Sequence, residues 1–127
     1  RSKNNYLIHT DAIKNYILPD SDFYKNREWL KYAEEADILN VIIFNTTAKE
    51  WKKLNPDLAK NLNVRDYASI NELTVLSNLE SHNAELIKEG KIKEERFEIL
   101  SEIAKYQLTI LNNAEKIKLL GNENKEE

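Results

Sequence analysis

Cysteine and methionine are both absent from these 127 residues, and glycine, proline, tryptophan and histidine occur only twice each. Without cysteine there is no disulfide and no thiolate chemistry, a composition that fits the reducing cytoplasm. Two glycines and two prolines are too few for the turns of a hairpin-rich sheet, so the balance favours helices. Two isolated glycines cannot build a phosphate-cradling loop, and no serine sits in a nucleophile-elbow or Ser/Lys pattern. His9 and His82 stand far apart and lack HExxH spacing, so a metal site on them would need carboxylates delivered by the fold. The expectation is therefore no metal and no cofactor. No apolar run approaches the roughly 18 residues of a membrane span and there is no signal-peptide pattern, so no membrane partner is expected. The net charge of −3 gives no domain-wide pull towards nucleic acid. A chain that opens on Arg1 without Met is expected to be a piece of a longer protein.

What is present is helical in rhythm. The length suits one domain with a real core, 41% of it hydrophobic and 32% charged. The expectation is an all-α, compact bundle of about five helices, two of them long, spanning residues 1–121, with 122–127 a disordered polar tail. Thr10 caps a short helix to about residue 17. From Phe23 onward, Arg27, Leu30, Ala33, Ala36, Leu39 and Ile43 recur at spacings of three and four, predicting one helix through to Phe44. The run Ile38-Leu-Asn-Val-Ile-Ile-Phe44 is β-branched enough to form a strand, but no turn signal separates it from the helical pattern before it. Asn40 inside that run needs a hydrogen-bond partner if buried.

Thr47-Ala-Lys-Glu50 and Ser69-Ile-Asn-Glu72 are capping boxes, each opening a helix. The second helix is expected to end at Gly90, and the last to run from about Lys93 to a stop at Gly121. Trp29, Phe44, Trp51, Leu73, Leu76, Leu79, Phe97, Leu100 and Leu108 are the expected core.

Two groups of residues stand out. On the helix after Ser69, Glu80 and Asn83 border the apolar stripe of Leu73, Leu76, Leu79, Leu86 and Ile87. A buried carboxylate needs a cation, and Arg65 beside Asp66 is the nearest in sequence. Arg65, Asp66, Glu80 and Asn83 are thus either a ligand or catalytic pocket, or a satisfied cluster pinning a loop to the bundle. The absence of a convincing acid/base partner favours the cluster.

The second group is on the last helix. Ile99, Ile103, Tyr106, Ile110, Asn113, Ile117 and Leu120 alternate in steps of four and three, a heptad seam. Phe97, Leu100, Ala104, Leu108 and Leu111 form another stripe beside it. A helix apolar on two sides has two surfaces to cover, either within one monomer or with a second subunit. Lys49, Lys52 and Lys53, interrupted by Glu50, read as a solvated face rather than a groove binder.

Several words of the sequence occur together in a recognisable order. They are Tyr6-Leu-Ile-His-Thr-Asp-Ala-Ile-Lys14, Glu35-Ala-Asp-Ile-Leu-Asn40, Thr47-Ala-Lys-Glu-Trp51, Asn55-Pro-Asp-Leu58, Arg65-Asp-Tyr-Ala68, Val75-Leu-Ser-Asn-Leu-Glu80 and Asn83-Ala-Glu-Leu-Ile87. Over residues 6–111 the chain resembles the region that follows the DNA-binding domain in KilA-N domain proteins of bacteria and their phages. Asn45 stands where that family often has Gly, and Ser69 where Thr is usual; both exchanges preserve a helix exit or cap. The resemblance implies that DNA is met only through an upstream domain, and it carries no reaction or ligand residues. The expected function is a non-catalytic regulatory or assembly module, a homodimer through the last helix or a docking site for a partner. The alternative is an effector enzyme, nucleic-acid directed, with its pocket around Arg65 and Glu80.

Overall fold

A computed structural model describes the backbone of residues 23–126 and the side chains of residues 23–121. The expected helix at 10–17 lies outside the described residues. Among those described there are four α-helices, three short 3-10 turns and no strand. The helices are α1 (Glu35–Phe44), α2 (Ala48–Leu54), α3 (Ile70–Lys88) and α4 (Lys93–Glu126), and the turns are Glu28–Lys31, Leu58–Lys60 and Val64–Tyr67. The all-α bundle with two long helices is the architecture found.

The long pair, α3 and α4, forms an antiparallel hairpin, and α1 packs across both. The hairpin turns at Gly90, whose φ of +82° is the left-handed conformation that glycine adopts without a Cβ penalty. Its amide donates to the Ile87 carbonyl at 3.0 Å, and Lys91 donates back to Leu86 at 3.1 Å. Inside the layer lie Leu39, Phe44, Trp51, Val75, Leu76, Leu79, Leu100 and Ala104. A smaller cluster of Leu30, Ile38, Val41 and Phe97 continues it towards the start of α4. There the Trp29 ring meets Phe97 edge-on at 5.6 Å.

Local capping explains most of the boundaries. The Ser69 hydroxyl accepts from the Glu72 amide at 3.0 Å, while the Glu72 carboxylate accepts from the Ser69 amide at 2.8 Å. The Thr47 hydroxyl accepts from the Glu50 amide at 3.1 Å and opens α2. Asn45 leaves α1 at φ +58°, and its amide donates to Val41 at 2.8 Å, doing the work of a C-terminal glycine.

Three expectations are corrected. The helix from Phe23 to Phe44 is broken: a 3-10 turn ends at Lys31, and α1 starts afresh at Glu35. Two contacts hold the break. The Asp37 carboxylate accepts from the Glu34 amide at 3.0 Å, and Lys93 from α4 donates to the Ala33 carbonyl at 2.7 Å. Leu73 is 44% exposed, because the inner face of α3 is rotated to Glu72, Val75, Leu76, Leu79 and Asn83. Gly121 does not stop α4, whose backbone stays helical to Glu126.

Candidate functional site

Asn83 projects from the inner face of α3, where a lone amide among leucines must find partners. It finds them on two other helices. Glu35 sits in the first turn of α1 and Arg96 in the first turn of α4, and all three side chains converge. Arg96 Nη1 donates to Glu35 Oε1 at 2.5 Å and to Asn83 Oδ1 at 2.8 Å, while Nη2 donates to Glu35 Oε2 at 3.2 Å. Asn83 Nδ2 donates to Glu35 Oε1 at 2.8 Å, and Arg96 Nε donates to the Lys91 carbonyl at 3.0 Å. Arg96 is 5% and Asn83 4% exposed while the Glu35 side chain stays 42% exposed, so this is a half-buried, bidentate guanidinium–carboxylate pair with its amide satisfied. Burial works against ionisation of Glu35. The hydrogen bonds from Arg96 and Asn83 and the charges of Arg96 and Lys93 outweigh it, holding the carboxyl below its ordinary range.

The expected cluster is therefore redistributed. Asn83 belongs to a buried ionic site, as the interrupted stripe suggested, but with Glu35 and Arg96. Glu80 is exposed and forms no hydrogen bond or ion pair with a described residue. Arg65 Nε reaches the buried Asn40 Oδ1 instead, at 3.4 Å, and so supplies the partner that Asn40 required. Asp66 accepts from the Asn63 amide at 2.8 Å, closing the turn Val64–Tyr67. The pairing of Arg65 with Glu80 is not formed, because Glu80 lies on the outer side of α3, one residue past the buried Leu79. Arg96 left one signal in the sequence: it falls four residues before Leu100, within the apolar stripe. Glu35 stands among other acids at the start of α1 and left none.

What this site can do chemically is limited by its completeness. A carboxylate held ionised by a bidentate arginine is a poor proton acceptor. Beside it lies a cleft of about 650 Å³ lined by Arg27, Lys31, Lys93 and Arg96 among others. Lys25 also lines it and pairs with no described residue, while its other cations are engaged. Arg27 pairs with Glu98 and lies over the Phe97 ring at 5.2 Å, Lys31 with Glu28 at 3.2 Å, and Lys93 with a carbonyl. Among the described residues, no group of three or more His, Cys, Asp or Glu side chains is placed to hold a metal ion, and no helix is long and apolar enough to cross a membrane. His82 is exposed, and His9 lies outside the described residues.

The second group gives a different picture. Leu100 and Ala104 are buried against α1 and α3, and Leu108 and Leu111 continue that face. Asn78 donates to Gln107 at 3.0 Å, and Asn71 to Asn112 at 2.8 Å and Glu115 at 3.0 Å, tying α4 to the N-terminal half of α3. At about 100° per residue the expected seam falls on the side of α4 turned away from α3. Ile103 is partly buried at its root. Tyr106 and Ile117 are each 69% exposed, Ile110 46% and Leu120 50%, with Asn113 exposed between them. The stripe thus continues onto a stretch of α4 that outruns α3 by about 16 Å, taking 1.5 Å per residue.

Comparison with protein-family models, with curated proteins and with solved structures returns no match.

Proposed function

We propose that this chain is a non-catalytic assembly module that self-associates through α4, in a cytoplasmic DNA-binding protein of KilA-N type. The observation that carries the proposal is the heptad stripe of α4, left in solvent on the side of the helix turned away from α3. Singly scattered surface leucines need no explanation, but four large apolar side chains aligned at heptad spacing on one helix face do. A triad whose polar groups satisfy one another supports a structural role over a catalytic one. The resemblance to the region after the KilA-N domain assigns DNA contact to that upstream domain.

The size of the effect sets the expected strength. Fully burying an apolar side chain is worth about 1.5–3 kcal/mol. Tyr106, Ile110, Ile117 and Leu120 are half to two-thirds exposed, so two copies gain on the order of 10 kcal/mol gross. Association itself costs about 4–15 kcal/mol in lost freedom. The pair expected is weak and concentration-dependent.

Sedimentation equilibrium of the chain over about 1–100 μM tests this, since a dissociation constant in that range corresponds to roughly 5.5–8 kcal/mol. A mass rising from monomer to dimer is the expected result. A monomeric mass throughout, or large open-ended aggregates, contradicts the proposal.

A further inference from the structure

Building on the reading of α4 as a self-association helix, we infer that the two copies pair in parallel and in register, each stripe residue against its own counterpart. Asn113 decides the orientation. In a parallel pair Asn113 meets Asn113, and two primary amides can donate to and accept from each other. In an antiparallel pair on the same stripe Asn113 faces Ile110, Tyr106 faces Ile117 and Ile103 faces Leu120. That arrangement buries an amide against an isoleucine on both sides of the two-fold axis, with its hydrogen bonds to water lost and none gained. Like a polar residue elsewhere in a heptad seam, Asn113 favours the register that pairs it with its own copy, and Ile recurs at three successive equivalent positions (103, 110 and 117).

The flanks agree. Across a parallel seam Glu102 stands beside Gln107 of the second copy, Thr109 beside Ala114, and Lys116 beside Gly121, so no like charges are opposed. The Gln107 oxygen already accepts from Asn78, which leaves its NH₂ group free to donate towards a carboxylate such as Glu102. The Thr109 hydroxyl is satisfied within its own helix by the Lys105 carbonyl at 2.8 Å. The small side chains of Ala114 and Gly121 let the two helices approach. Among the described residues Tyr24 and Arg27 reach α4 through Ser101 and Glu98, and neither of those lies on the stripe. One consequence is polarity. Tyr24 stacks near Phe97 at 4.8 Å, so in the parallel pair both chains enter their bundles at the same end.

The absence of cysteine makes the test direct. Tyr106→Cys and Ile117→Cys are prepared singly, with Glu80→Cys, exposed on α3, as a control. All three positions are solvent-exposed, and circular dichroism confirms that each variant keeps its helix. A disulfide needs Cα atoms within about 7 Å, whereas positions 106 and 117 on one helix are about 16 Å apart. Under a mild oxidant, Tyr106→Cys alone and Ile117→Cys alone should each form covalent dimers at least tenfold faster than the control. A mixture of the two should add no 106–117 cross-link. Cross-linking confined to the mixture overturns the parallel orientation but leaves self-association standing. Equal acceleration in every combination also overturns it, since the register is then not fixed. No acceleration anywhere, with a monomeric mass, removes the self-association reading as well.

Discussion

Arg96 is the side chain on which three helices agree. Its guanidinium is almost wholly buried, so the residue whose loss hurts most is the one that neutralises it. Glu35→Ala should strand that cation and destabilise the chain by about 3 kcal/mol, the low end for a broken buried pair because water reaches Glu35. Glu80→Ala, made on an exposed carboxylate, should change stability by less than about 0.5 kcal/mol. Urea unfolding of the two variants beside the parent separates them. The depressed pKa of Glu35 also predicts a pH dependence. Its contribution is fully present above the ordinary carboxyl value of 4.5 and is lost as pH falls through the lower value of the folded state. The stability gap between the parent and Glu35→Gln should therefore be constant near neutrality and close below about pH 4.5. A gap that widens in acid contradicts the assignment. Apart from the place of Arg96 in the apolar stripe, this pair was not legible in the chain, because Glu35 lies 61 residues from Arg96 and 48 from Asn83. The need of Asn83 for partners was visible.

At the scale of the element, the readable boundaries were those closed within four residues. Thr47 with Glu50 and Ser69 with Glu72 announce their helices because cap and capped amide are neighbours. The break between Lys31 and Glu35 was not readable, since Lys93 helps to hold it from 60 residues away. The two glycines divide in the same way. At Gly90 a methyl group meets nothing within 4 Å, yet the left-handed φ makes any side chain strained there. Gly90→Ala should cost about 1–2 kcal/mol. At Gly121 the space is equally open and the backbone is helical. Gly121→Ala should gain up to about 1 kcal/mol of helix stability and raise the helical signal in circular dichroism. A loss of helicity in that variant would show that the end of α4 is not helical in solution. Glycine marks a helix end where the backbone turns left-handed and the next amide closes the cap, as Lys91 does after Gly90, whereas at Gly121 the backbone runs on as helix.

For the whole molecule, the fold class followed from scarce turn residues and periodic apolar positions, and the exposed stripe followed from the same periodicity. Which of the two α4 stripes the bundle claims could be settled only by packing, because both carry the spacing. The bundle takes Phe97, Leu100 and Ala104 and leaves Tyr106, Ile110 and Ile117 outside. Net charge predicts that the chain binds duplex DNA no tighter than about 10⁻⁶ M at physiological salt, the upper end of non-specific affinity. A tighter, steeply salt-dependent complex in a fluorescence titration would place DNA contact in this module. The central claim is that the outer stripe joins two copies. The most direct measurement is sedimentation equilibrium of the parent beside Ile110→Glu, with the helical content of each recorded. A carboxylate at the middle of the stripe would have to be buried unpaired in any such seam. The expected result is a parent that dimerises with concentration and a variant that stays monomeric with its helix intact. A monomeric parent, or a variant that unfolds and so places Ile110 in the core of the single chain, contradicts it.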